Sequence, residues 1–316
     1  MKTIVSLQDL NQIEIKPSEA NARFLELVEQ DCRTRLAPGP LAPVDCPGCV
    51  SPDFSVAFPR FGLEYVSCDG CGTLYVRERP SSDALDQYYS DAESVAFWEE
   101  EIYRLTLESR REKLAAPLAQ WVLDSIAEKH PQAERLVDLS THGALLRSEI
   151  KALGGPSDLL DGRAALAAGD VDVVTAFDCV GRTQNLPALI KDVHTALRPG
   201  GLMVLTAPAA SGLEPLVLWD RSPTIMPPDK LNLLTVEGFE ALFSAPEWEI
   251  VELSTPGLLD LEIIRHVLDD STSDPTSRFL SYLFKNRPQR TVNSLVEFLQ
   301  INRLASHVRL VARKAA

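Results

Sequence analysis

The sequence predicts an α/β protein: a mostly parallel sheet with helices on both faces, plus a small N-terminal metal module and helical segments. Three observations predict it. From about residue 134, short apolar runs alternate with helical patterns; the clearest run is Val-Asp-Val-Val-Thr-Ala-Phe at 171–177. The last run, 307–313, alternates Val308, Leu310 and Ala312 toward one face, the period of a strand. The pairs Cys46-Pro-Gly-Cys49 and Cys68-Asp-Gly-Cys71 predict the module. With 316 residues, 45% hydrophobic and 24% charged, the chain is long enough for one large domain with an appendage, or for two.

Each element has its own signal. An extended piece opens the chain; Pro17-Ser18-Glu19 then starts a helix whose stripe is Phe24, Leu25, Leu27 and Val28. Residues 36–43, with three prolines and a glycine, read as a linker. After the cysteine module, Arg79-Pro80-Ser81-Ser82 caps a helix, and a longer helical stretch covers 97–128. Strands are expected at 136–139, 158–161, 171–177, 202–207, 248–253 and 307–313. Helices are expected at 144–153, 186–197 and 235–243, with a helical region at 258–303. The resulting division is an N-terminal helical segment and linker (1–45), a zinc-ribbon module (46–79), a helical connector (80–130) and an α/β domain (131–316) with its insertion at 258–303.

The cysteines carry the strongest local chemistry. A C-x₂-C turn presents two thiolates to one tetrahedral ion, and a second such turn closes the shell. Gly48, Gly70 and Gly72 suit the sharp bends. Cys46, Cys49, Cys68 and Cys71 are therefore expected to hold a structural Zn²⁺ with no open position. Cys32 and Cys179 are left over, and Cys179 reads as a small core residue.

Charge excludes one class of partner. The formal net charge of −14 argues against a nucleic-acid surface, and late basic residues such as Lys285, Arg287 and Arg290 read as solvated faces. No apolar run reaches the roughly 20 residues of a membrane span, and the N-terminus lacks a signal-peptide core. The expected location is the cytoplasm, where paired cysteines stay reduced and bind metal.

The order of several short stretches resembles a family of bacterial class I S-adenosylmethionine methyltransferases with an N-terminal zinc-binding segment, often associated with sugar and polysaccharide modification. The stretches are Cys68-Asp-Gly-Cys-Gly-Thr-Leu-Tyr-Val76, Arg79-Pro-Ser81, Phe97-Trp98, Ser109-Arg-Arg-Glu-Lys113, Asp172-Val-Val-Thr-Ala-Phe177, Leu197-Arg-Pro-Gly-Gly-Leu202, Leu231-Asn232, Thr255-Pro-Gly-Leu258 and Asn302-Arg-Leu-Ala-Ser-His307. The resemblance implies a Rossmann-like sheet of seven strands with a reversed C-terminal hairpin, here 248–253 with 307–313. Ligand is implied at the carboxyl ends of the strands. It also implies cofactor contacts from Asp138, Ser140, Gly143, Asp161 and Asp178.

The chain departs from that family in four places. The glycines of D-x-G-x-G-x-G fall on Ser140, His142 and Ala144, although Gly143 offers a turn shifted by one residue. Only about thirty residues separate Asp138 from Asp172, so a strand or helix is missing or shrunken. Asp161, or Asp158, is left as the ribose-gripping carboxylate. Glu-His after the fourth strand becomes Gly181-Arg182, and Pro-Pro-His-His-Leu-Asn becomes Pro227-Pro228-Asp229-Lys230-Leu231-Asn232, so the usual proton-exchanging histidines are absent together. Two readings follow. One is a degenerate, non-catalytic methyltransferase-like protein that serves as a structural or regulatory partner, with another protein or a second copy. The other is an active S-adenosylmethionine-dependent enzyme whose acceptor is a sugar nucleotide or other small molecule, with Asp178, Asp229 and Lys230 near it.

Overall fold

In a computed structural model, residues 10–268 and 275–315 are described, and among them twelve strands form three sheets. The expected extended piece at the start falls mostly outside these residues. Helix Gln12–Ile15 is closed by a capping box between Asn11 and Glu14. Helix Ser18–Asp31 starts on Pro17 and buries Phe24, Leu27 and Val28. It runs on into a wider turn, Cys32–Leu36. The linker is shorter than its prolines imply. Strand β1 (Leu41–Pro43) pairs antiparallel with β5 (Glu78–Pro80), because an edge strand tolerates proline.

The cysteine module is built on β2 (Phe54–Arg60), β3 (Leu63–Cys68) and β4 (Leu74–Val76). Its sheet does not end there. Strand β10 (Asn232–Leu233), almost 160 positions later, pairs with β4. Arg79 is 1% exposed; its guanidinium donates to the carbonyls of Val76, Gln184 and Leu231 and to Asn232 Oδ1. Such a cation is tolerated only because its donors are satisfied. These contacts join the module to the rim of the main sheet.

The main sheet contains β6 (Arg135–Asp138), β7 (Asp158–Asp161), β8 (Val171–Phe177), β9 (Leu197–Pro208), β11 (Trp248–Ser254) and β12 (His307–Lys314), ordered β11-β12-β9-β8-β6-β7. Pairs β6/β7, β6/β8 and β8/β9 are parallel, and β12 runs antiparallel to both β9 and β11. The reversed C-terminal hairpin therefore forms, with helices Asp260–Val267, Pro275–Asn286 and Gln289–Ile301 between its strands. The sheet has six strands rather than seven. Between β7 and β8 there is only the short helical turn Arg163–Ala168, too little chain for another strand and crossover helix. Arg198-Pro-Gly-Gly201 is not a plain helix stop. It bulges out of β9, whose register against β8 jumps from Val171↔Leu197 to Val173↔Leu202, with Gly200 at φ 79°.

All seven residues of β8 are buried, as expected for a central parallel strand. Helix Leu186–Ala196 packs on one face through Leu189, Ile190 and Val193. Helix Ala116–Lys129 covers the other through Ala119, Trp121 and Val122. No described helix is long and apolar enough to cross a membrane.

Candidate functional site

The two cysteine turns converge. Cys46 and Cys71 sulfurs are 3.5 Å apart, Cys49 and Cys68 are 3.5 Å apart, and all four lie within 4.8 Å of one another. Four thiolates at about 2.3 Å from a tetrahedral ion stand about 3.8 Å apart, so the set can hold a zinc-sized ion without rebuilding the turns. A Cβ on Gly70 would lie 3.6 Å from Cys49 Sγ and 3.7 Å from Cys68 Sγ, so the glycine sits directly under the cluster. The first turn rests on the main domain: a Cβ on Gly48 would come within 3.1 Å of Gly238. The second is tied there by Thr235, whose hydroxyl donates to the Cys71 carbonyl at 2.6 Å.

The loop after β6 also forms a compact site, of a different kind. Leu139 and Thr141 amides donate to the Thr175 and Phe177 carbonyls, so the loop continues the β6/β8 ladder past the strand end. Ser140 Oγ accepts from the Phe177 amide at 2.9 Å. Asp138 is fully buried. Its Oδ1 accepts from the Ser140 amide at 3.0 Å and from the Thr175 hydroxyl at 2.8 Å. Its Oδ2 accepts from Arg147 Nη1 at 2.8 Å. The same guanidinium grips Asp161 with both arms, Nη1 to Oδ1 at 3.0 Å and Nη2 to Oδ2 at 2.9 Å. Arg147 thus joins the carboxylates that end β6 and β7.

The turn itself is made by His142, at φ 55°, while Gly143 has right-handed helical geometry. Histidine is one of the residues that tolerates the left-handed region. Gly143 is required for space, since a Cβ there would overlap Asp138 Oδ2. The His142 ring stacks on Tyr103 with centroids 4.5 Å apart, and its Nδ1 lies 3.2 Å from Glu99 Oε1. Burial lowers the imidazole's proton affinity, Glu99 opposes this, and Arg182 and Arg110 reinforce it. Asp178, just past β8, is exposed at φ 55°, and its carbonyl accepts from the Thr141 hydroxyl at 3.2 Å.

Asp138, Ser140, Gly143 and Asp161 therefore lie together at the carboxyl edge, and Asp178 borders them. The sequence reading missed Arg147. One signal was available: a cation in the first turn of helix Ala144–Ala152 opposes the helix dipole and calls for a nearby carboxylate. The rim residues that replace the histidines meet each other. Arg182 Nη2 donates to Asp229 Oδ1 at 2.8 Å, and Tyr89 adds a hydroxyl at 3.3 Å. Burial works against the Asp229 carboxylate, but Arg182 beside it holds its pKa below the ordinary value. Neither leftover cysteine is activated: burial pushes the Cys179 thiol up to about 12 and raises that of Cys32 as well.

Behind the rim, buried Glu214 accepts from Ser222 at 2.6 Å and from Thr224 at 2.9 Å. Burial still raises its pKa to about 7. Asp260 ties the Glu214 and Ser306 amides together, and burial raises its pKa too.

Residues 109–253 match a family described as a methyltransferase domain. No curated protein shows significant similarity to the chain. Among solved structures, the plantazolicin methyltransferase BpumL in complex with SAH is 13% identical with a TM-score of 0.43, covering 73% of this chain and 94% of that one. YjhP from E. coli is 16% identical with a TM-score of 0.35, covering 63% and 92%. The [4+2]-cyclase SpnF is 14% identical with a TM-score of 0.36, covering 64% and 81%. Over 109–253, the chain is methyltransferase-like.

Proposed function

We propose that this protein is a non-catalytic methyltransferase-like scaffold of the cytoplasm. It acts as a structural or regulatory partner, with another protein or a second copy of itself, in sugar, polysaccharide or small-metabolite modification. The observation that carries the reading is the Arg147 clamp. A ribose-binding carboxylate must offer its oxygens to a diol, yet both oxygens of Asp161 are engaged by Arg147. Asp138, fully buried, accepts from the Ser140 amide, the Thr175 hydroxyl and Arg147. These contacts support a reading in which the site does not take S-adenosylmethionine, and no transfer step is drawn through it. Zinc fits the four thiolates and would fasten the module, with no chemistry of its own.

The test is calorimetric titration of metal-loaded protein with S-adenosylhomocysteine. The expected result is no heat at millimolar ligand, for the native chain and for Arg147→Lys alike. Micromolar binding by the native chain would overturn the reading.

A second reading, an active S-adenosylmethionine-dependent methyltransferase acting on a sugar nucleotide or other small molecule, is favoured by the retained strand-end acids Asp138 and Asp161. Methyl transfer can rest on positioning alone. It requires Arg147 to leave Asp161 when cofactor arrives, and it predicts the micromolar binding just described.

A further inference from the structure

We propose that the wide helical turn Trp98–Tyr103 is an autoinhibitory strap, with His142 as its catch, that holds the loop after β6 shut against a nucleoside ligand. This deepens the scaffold reading and rests on it: Arg147 ties the strand-end acids together within the α/β domain, and the strap closes the loop from the helical connector.

Open α/β sheets take ligands at the carboxyl ends of their strands, where the strand order reverses. Here that place lies between β6 and β8, because the chain leaves β6 toward β7 on one side while β8 lies on the other. The loop after β6 spans it. Thr141 donates from its amide to the Phe177 carbonyl and from its hydroxyl to the Asp178 carbonyl. His142 is the next residue, and its side chain meets the strap.

The backbone of the strap explains how two of its side chains reach one ring. The Arg104 amide reaches back to the Glu99 carbonyl, one residue further than in an ordinary helix. Such widened turns recur at functional sites. Glu99 and Tyr103 lie on the same side of the turn, and both meet His142. The strap is braced independently of the loop. Ile102 is fully buried in the N-terminal core, and Trp98 packs on Phe24 with ring centres 4.9 Å apart. Arg110 lies 5.1 Å from the Trp98 ring and 5.4 Å from the Tyr103 ring. Its guanidinium is fixed by donating to Thr106 Oγ1 at 2.9 Å and to the Ile15 carbonyl at 2.6 Å.

The catch is strained and shallow, which suits a contact that opens. His142 sits at φ 55°, where a side chain is tolerated rather than favoured, and such a conformation persists only when its surroundings hold it. The stack on Tyr103 at 4.5 Å and the 3.2 Å approach of Glu99 supply that hold. The His142 and Glu99 side chains stay 31% and 45% exposed, so the contact parts without opening the buried core.

The test is amide hydrogen exchange of the full-length, metal-loaded protein. The native chain is compared with His142→Gly, Tyr103→Leu and the variant carrying both. Glycine suits the positive φ at 142, so His142→Gly keeps the turn and loses the catch. Exchange at Thr141 and across 98–104 should be about tenfold faster in either single variant, no faster again when both changes are combined, and unchanged in β8. Unchanged exchange at Thr141, or two effects that add, overturns the strap. Exclusion of ligand is read by calorimetric titration of S-adenosylhomocysteine into His142→Gly combined with Arg147→Lys, in which both closures are released. Binding below millimolar ligand is expected, against silence from the native chain and from Arg147→Lys alone. Silence from the combined variant overturns exclusion by the strap and leaves the scaffold reading standing. Binding by the native chain overturns the scaffold reading and the exclusion with it, and the exchange result then judges the catch by itself. Circular dichroism shows whether each variant is folded; if Tyr103→Leu unfolds, His142→Gly carries the exchange test.

Discussion

The cysteine turns and the loop after β6 are built alike, yet they present opposite chemistry. Each is a tight turn at a strand end, and each brings a glycine against the functional atoms: Gly70 under two sulfurs, Gly143 against Asp138. In the cysteine turns, the four sulfurs converge on one point at distances that fit a single ion. In the loop, the carboxylates converge on Arg147, a cation already within the chain. The contrast teaches that keeping an acid is different from keeping it available. Asp138 is buried among donors of the chain, while Asp161, still largely exposed, is held by Arg147.

That contrast can be broken most directly at the metal. Cys68→Ser, or treatment with a strong chelator, should unfold residues 46–80 and free β10 from β4, costing several kcal/mol, because binding energy in such modules is folding energy. Thermal unfolding with parallel metal analysis measures it. If chelation leaves the transition where it was, the two turns are equally self-sufficient and the comparison fails.

A smaller loss is expected at the loop. Arg147→Ala strands a buried carboxylate, and removing one partner of such a pair costs about 3 kcal/mol. Gly143→Ala should also destabilise, because a Cβ there overlaps Asp138 Oδ2 and crowds the Arg147 guanidinium that holds it. Denaturant unfolding of the two variants ranks them. If Arg147→Ala is neutral, the clamp does not hold the loop.

The smallest effect is in pH dependence. Glu214 has its pKa raised from 4.5 to about 7 in the folded chain. A raised acid favours the protonated form. Its contribution is therefore fully present below pH 4.5 and is lost as pH rises through about 7. Glu214→Gln should flatten the fall in melting temperature between those values. An unchanged slope would place the pH sensitivity elsewhere, Asp260 being the nearest candidate.

Much of the architecture was legible because it is local. Strand period, the helix cap at Ser81 and cysteine spacing all act within a few residues. The shortened stretch between Asp138 and Asp172 also told that an element was lost, and the sheet is one strand short. Where local signals misled, a partner far along the chain was responsible. Pro43 sits in a strand because residues 78–80 lie beside it, and Arg198-Pro-Gly-Gly201 is a bulge because β8 runs on past it.

By itself, then, the sequence determined the α/β class and the thiolate set, which rest on short-range pattern, while the reversed hairpin was implied by the family resemblance. Only the tertiary structure decided which charges are spent and which are spare. Arg147 bonds one acid nine positions before it and another fourteen positions after it, and Arg79 bonds to residues more than a hundred positions later. The physical reason is that hydrogen bonds and ion pairs act through space over a few ångströms, and the distance along the chain does not enter.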